Sequence, residues 1–170
     1  ASAYGIIKAH GGYIDVTSKK DEGTSFCVYL PGKEKNIRKT METNLKTEEK
    51  TGTVLIVDDE ELVLDVGVQM LERLGYSTIS AKDGYEAIEN YEDNRDKIDI
   101  VILDMVMPGI SGEGTYDKIK EINPDVKVLL SSGYSVDGRA QEILERGCNG
   151  FLQKPFTMTD LAQHLNGILS

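Results

Sequence analysis

From Thr53 onward, short apolar runs alternate with longer stretches in which apolar residues recur at helical spacing. The runs Thr53 to Val57, Ile98 to Leu103, Val126 to Leu130 and Gly150 to Gln153 have the length and composition of buried strands. After the first run, Val63, Val66, Met70, Leu71 and Leu74 mark the buried side of a helix that stops at Gly75. Further helices are predicted at about 83–93, 112–122, 136–146 and 157–169, with Ser111, Ser135 and Thr157 as N-caps. Thr157 with Asp160 three residues later is a variant capping box. Strands alternating with helices predict βαβ units around a parallel sheet. Five such repeats predict a doubly wound α/β fold with a five-stranded parallel sheet in the order 2-1-3-4-5.

Upstream the pattern differs. Residues 2–9 read as the end of a helix closed by Gly11-Gly12, followed by strands at 13–17 and 24–30 around the turn KKDEG. Ile14 and Val16 would share a face with Phe26, Val28 and Leu30. An isolated hairpin is marginal in water. That face is therefore expected to be covered by the segment's own helix, by the downstream domain, or by the same segment of a second chain. The last arrangement would give a homodimer through strand edges. Residues 33–52 carry many charges and few apolar side chains, the composition of a linker. The predicted organisation is a helix-and-hairpin segment at 1–32, a charged linker at 33–52 and a domain at 53–170.

The charge is uneven. Residues 1–32 balance, 33–52 carry +2 and 53–170 carry −12, giving −10 in all. A domain this acidic is not expected to bind nucleic acid by counterion release, but it can attract a dication or a basic protein surface. Cys27 and Cys148 are too far apart and too few for a disulfide framework or a zinc site, and read as packing residues. The sequence shows no leader and no apolar run of about 18 residues. It is expected to be cytoplasmic, without direct membrane contact.

Polar residues stand where the predicted strands end: Asp58-Asp59, Asp104, Ser132 and Lys154-Pro155. Ligands of open parallel sheets bind outside the carboxyl ends of the strands, so these sites should converge on one crevice. Asp104 alone could simply cap a turn before Pro108-Gly109. Glu60 and Glu61 favour a helix N-terminus through its dipole. Three carboxylates brought together repel by about 4 kcal/mol per pair at 4 Å and an effective dielectric near 20. A hard dication relieves that repulsion, and Mg²⁺ suits an all-oxygen site.

VLIVDDE, VILDMVMPGISG, VLLSSGYS and GFLQKPF, in this order and at these intervals, resemble the receiver domain of two-component signalling over residues 53–170. The resemblance implies a flavodoxin-like fold and a phosphoryl group carried by Asp104 as an acyl phosphate. It also implies Mg²⁺ held directly by Asp59 and Asp104, through water by Asp58, and by the Val106 carbonyl. Lys154 would meet a phosphoryl oxygen, with a cis Lys154-Pro155 bond. Ser132 would donate its hydroxyl, with Ser131 its rival by one residue, and Phe151 would be the switch aromatic. Val106 and Tyr134 fall where the family tunes phosphoryl lifetime.

YGIIKAHGGYIDV and GTSFCVYLP resemble the closing helix and hairpin of a histidine-kinase ATP-binding domain. The remainder of an ATP site is missing from this sequence, so the chain is not expected to bind ATP or to act as a kinase. Neither His10 nor His164 has the setting of a phosphoacceptor. The expected donor is a phosphohistidine on a kinase core or a histidine phosphotransfer protein, and the expected origin a hybrid histidine kinase. The rival readings are an output or inhibitory receiver acting as a phosphorylation-dependent binding module, and a Mg²⁺-dependent aspartyl phosphatase. Against the latter, Val106 stands where the acid/base carboxylate would be.

Overall fold

The computed structural model describes residues 4, 7, 8, 10–20, 23–31, 52–133 and 138–170, the backbone alone at 138 and 139. Two compact units result, Ala1–Lys46 and Thr47–Ser170. The expected linker lies outside the described residues except for Gly52, as do the Ser135 cap and Tyr134.

In the first unit, Tyr4, Ile7 and Lys8 are helical, and the backbone N–H groups of Gly11 and Gly12 donate to the Lys8 and Ile7 carbonyls. Gly11 sits at φ +69°, a left-handed closure that favours glycine. Strands β1 (Tyr13–Lys19) and β2 (Gly23–Tyr29) pair antiparallel, with Ile14 opposite Val28 and Val16 opposite Phe26. The apolar face forms as expected, but Val16, Phe26, Val28 and Leu30 are all exposed. Cys27, expected as a packing residue, is likewise exposed.

The second unit begins with β3 (Thr53–Val57), followed by α1 (Glu61–Arg73), β4 (Ser77–Ala81), α2 (Gly84–Asn94), β5 (Ile98–Asp104) and α3 (Gly112–Ile122). It ends with β6 (Val128–Ser132), α4 (Gly138–Glu145), β7 (Gly150–Gln153) and α5 (Met158–Leu169). The sheet runs β4-β3-β5-β6-β7 with every pairing parallel, which is the predicted 2-1-3-4-5 order. Both faces are covered. Val54, Ile56, Ile100, Ile102, Leu129 and Leu152 pack toward Leu71 of α1, Leu74 just after it, and Leu161 and Leu165 of α5. Leu55, Val57, Val101, Leu103, Val128 and Leu130 pack toward residues of α2, α3 and α4 such as Tyr91, Tyr116 and Ile143.

Ser111 caps α3 by accepting from Gly114 N, and Thr157 with Asp160 completes the capping box of α5. Asp83 caps α2, so that helix starts one residue later than expected. β6 lies two residues later than its apolar run suggested. Val126 N donates to Asn123 O in a turn, and pairing with β5 begins only at Val128. Val66 is a second correction, being 50% exposed. Gly67 is the buried residue there, because a side chain on it would strike Ile56 at 2.4 Å. The buried stripe of α1 therefore runs through Gly67 and Leu71, continues to Leu74 just past the helix, and leaves Leu62 and Val66 outside.

Candidate functional site

Asp58 follows β3, and its backbone N–H donates to Ala81 O at 3.1 Å, tying the end of β3 to that of β4. Its Oδ1 accepts from Glu60 N at 3.0 Å, which aims the carboxylate across the sheet edge rather than outward. Asp104 is the last residue of β5, and its Oδ1 accepts from Met105 N at 3.0 Å. Behind it, α3 begins so close that a Cβ on Gly112 would lie 2.3 Å from Asp104 O. Only glycine permits this approach, and it fixes the loop that carries Met105 to Ile110. Lys154 follows β7, with its N–H donating to Ser132 O at 2.8 Å and a cis bond to Pro155.

These ends meet. Asp58 and Asp104 are 3% and 5% exposed, while Asp59 is open to solvent. One carboxylate oxygen from each of Asp58, Asp59 and Asp104 lies within 4.8 Å of the others. The Lys154 ammonium stands 2.5 Å from Asp58 Oδ2 and 3.2 Å from Asp104 Oδ1. Opposite ligands of an octahedral Mg²⁺ are about 4.2 Å apart, so oxygens within 4.8 Å of one another need close by only about half an ångström to share a small dication. Three carboxylates against one ammonium leave the cluster negative, as such an ion requires.

Burial pushes the Asp104 carboxyl above its ordinary value, and the Asp58 charge adds to this, while Lys154 opposes both. For Lys154, burial works against the charged form. The hydrogen bonds and charges of Asp58 and Asp104 outweigh it and hold the ammonium above the usual lysine value.

The remaining expected residues are also placed. Ser132 is buried at the carboxyl end of β6, in register with Gln153. Phe151 is half-buried against the core on the α2, α3 and α4 side. By strand alternation it shares a face with Ser132. Val106 exposes its side chain in the loop after Asp104, whereas Met107 is buried in the core and Met105 packs against it.

The sequence did not reveal an open groove of about 510 Å³ beside this cluster, lined by Leu62, Val63, Val66, Met70, Pro155 and Phe156 and reaching Lys154 and Gly133. Its signal was present: α1 carries more apolar positions than one buried stripe can use.

A doubly wound sheet of this order, with an acidic cluster and a lysine at its carboxyl edge, defines a CheY-like domain. The family profile for the response regulator receiver domain matches residues 54–166. The chain belongs to the response regulator receiver domain family. It is 34% identical over 180 residues to the sensor kinase CckA of Brucella abortus, an alignment covering 98% of this chain but only 18% of that protein. It therefore spans about a fifth of this relative's length. Among solved structures, the receiver domain of the hybrid histidine kinase CckA is 33% identical, with a TM-score of 0.60 over 70% of this chain and 100% of that one. The response regulator TrrA of Thermotoga maritima, in complex with Mg²⁺ and BeF, is 28% identical, with a TM-score of 0.63 over 69% and 99% of the two chains.

Proposed function

We propose that residues 53–170 form a Mg²⁺-dependent phosphoacceptor that takes a phosphoryl group from phosphohistidine onto Asp104 in a phosphorelay. The observation that carries this reading is the convergence of the Asp58, Asp59 and Asp104 oxygens within 4.8 Å, bridged by Lys154. Asp58, Asp59 and Asp104, with the Val106 carbonyl, would hold the Mg²⁺. When bound, the ion neutralises charge on the carboxylates and on the phosphoryl oxygens.

The residues do the rest. An oxygen of Asp104 attacks phosphorus, the bond from phosphorus to the donor nitrogen breaks, and the imidazole leaves with the electron pair. An acyl phosphate on Asp104 remains. Lys154 can turn from Asp104 to a phosphoryl oxygen without leaving the crevice, and as a point charge it stabilises the charge spread over those oxygens. Ser132 donates its hydroxyl to another of them. Phe151 follows that movement through packing alone, since it has no phenol.

The donor is a phosphohistidine-bearing helix whose apolar side chains seat in the groove between α1 and Phe156. The groove reaches Lys154, so an occupant delivers its histidine to the cluster. The relative's alignment extends through nearly the whole chain, including residues ahead of the receiver. This supports an origin in a hybrid histidine kinase, with residues 1–32 as the end of its ATP-binding domain. None of the described helices is long and apolar enough to cross a membrane.

A small-molecule acyl phosphate tests the site without any partner. Labelling, read by intact mass and peptide mapping, is expected only with Mg²⁺ present, on Asp104, and not in Asp104→Asn. Stable incorporation elsewhere in the wild type, or persistent labelling of the variant, sinks the assignment.

A further inference from the structure

Ser131 and Ser132 are both buried, and the mechanism above uses only Ser132. Ser131 is 3% exposed, and among the described residues its Oγ is the buried side-chain polar atom without a hydrogen-bond partner. A buried hydroxyl left unbonded destabilises a fold relative to an apolar side chain of the same size. Its position shows what it faces.

Ser131 stands in register with Asp104 on β5 and with Leu152 on β7. Registered neighbours share a face, and side chains alternate along each strand. Leu129 and Leu152 pack on the α1 and α5 side, so Ser131, two residues after Leu129, faces that side too. Asp104, two residues after Ile102, does the same. The 3.2 Å contact between Lys154 and Asp104 joins the two strands that flank β6. It therefore passes over the end of β6, where Ser131 lies.

We propose that Ser131 is a positioning residue for phosphoryl transfer: its hydroxyl donates to the Asp104 oxygen that Lys154 releases when the ammonium turns to the incoming phosphoryl group. This rests on the reading of Asp104 as phosphoacceptor. At rest Asp104 Oδ1 accepts from Met105 N and is contacted by Lys154 Nζ. Departure of the ammonium removes one of these two protein contacts and leaves the amide as the other. A serine hydroxyl turns about a single bond and can both donate and accept. Bonding to Oδ1, it keeps the carboxylate from rotating while the other oxygen attacks, and afterwards it holds the carbonyl oxygen of the acyl phosphate. Ser132 acts on the phosphoryl side of the new bond and Ser131 on the carboxyl side.

The test uses the whole chain, a small acyl phosphate and saturating Mg²⁺. Ser131→Ala is expected to label about tenfold more slowly than wild type, as for loss of one bond made only along the reaction path. Its Mg²⁺ affinity by calorimetry and its half-saturation for donor should be unchanged, and it should melt at or above the wild-type temperature. Ser131→Thr, which keeps the hydroxyl, should restore most of the rate. If the added methyl lowers the melting temperature, Ser131→Cys, nearly the same shape but a poor donor, should remain as slow as the Ala variant.

Ala-variant labelling within about twofold of a labelled wild type overturns the assignment, since twofold is less than one such bond contributes. So does a slow Ala variant with weakened Mg²⁺ binding or a lowered melting temperature, or a well-folded Thr variant as slow as Ala. A wild type that takes no phosphoryl group fells the phosphoacceptor reading and this role with it. A labelled wild type with an unaffected Ala variant removes Ser131 alone.

Discussion

Asp104 is held at a cost. Burial and the neighbouring Asp58 raise its carboxyl more than Lys154 lowers it. The folded domain thus keeps that proton to higher pH than the unfolded chain does. Ionising Asp104 therefore costs stability, a loss that sets in as pH rises above the ordinary Asp range near 4 and is complete above the raised value. Asp104→Asn removes the charge at constant size. In metal-free buffer at neutral pH it should gain about 1 kcal/mol, or roughly 4 °C in melting temperature for a domain of this size. Mg²⁺ should then raise the melting temperature of the wild type more than that of the variant, because a ligand stabilises only the state it binds. A variant that melts lower without metal, or responds equally to Mg²⁺, would mean the cluster is not strained by like charge. The convergence of Asp58, Asp59, Asp104 and Lys154 was legible because all four stand at or just after the ends of strands of one parallel sheet, and so at its carboxyl edge. Any one of them alone could have been a turn or surface residue. The two serines were harder. The apolar run stopped at Leu130, so nothing in it showed that Ser131 and Ser132 would both be inside the strand and face opposite ways.

The helix α1 is where hydrophobic patterning misled. Periodicity marks apolar positions but not which of two adjacent stripes is buried, and Gly67 decides the matter by letting the backbone come down on Ile56. Leu62, 81% exposed, and Val66 are left to line the groove. Changing both to Ser should alter stability by no more than about 0.5 kcal/mol, as is usual for exposed positions. Labelling by a small acyl phosphate should not change, because that donor needs no docking. Transfer from a phosphohistidine protein should slow by about tenfold or more, corresponding to roughly 1.4 kcal/mol of lost docking. Equal loss with both donors would place these residues in the chemistry, and no loss with either would leave the groove without a role. The other elements were legible to within two residues wherever a cap announced them, as Ser111 and Thr157 do for α3 and α5. The second strand of the sheet, β4, has no apolar run of its own. Its sequence STISA is half polar, and only the count of repeats demanded it.

On the scale of the chain, the proposed site lies wholly in the second unit. Removing residues 1–50 should leave a folded protein that still takes a phosphoryl group in the presence of Mg²⁺, checked by circular dichroism and intact mass. A truncated chain that cannot fold or cannot be labelled would show that the two parts are not separable. The parallel fold was legible because strand and helix periods alternate without interruption after Thr53. The exposure of the hairpin face was not, since amphipathic strands state that a face needs cover but not what supplies it. The two separate hydrophobic layers on either side of the sheet have a consequence of their own. The groove, Asp104 and Ser131 belong to the layer of α1 and α5, whereas Ser132 and Phe151 look into the layer of α2, α3 and α4. The sheet is thus a wall between two rooms, with the acidic cluster set in its rim. If Asp104 is the phosphoacceptor proposed above, a protein delivering phosphate would enter one room while a protein sensing the result could wait in the other, so delivery and reading would not compete for the same surface.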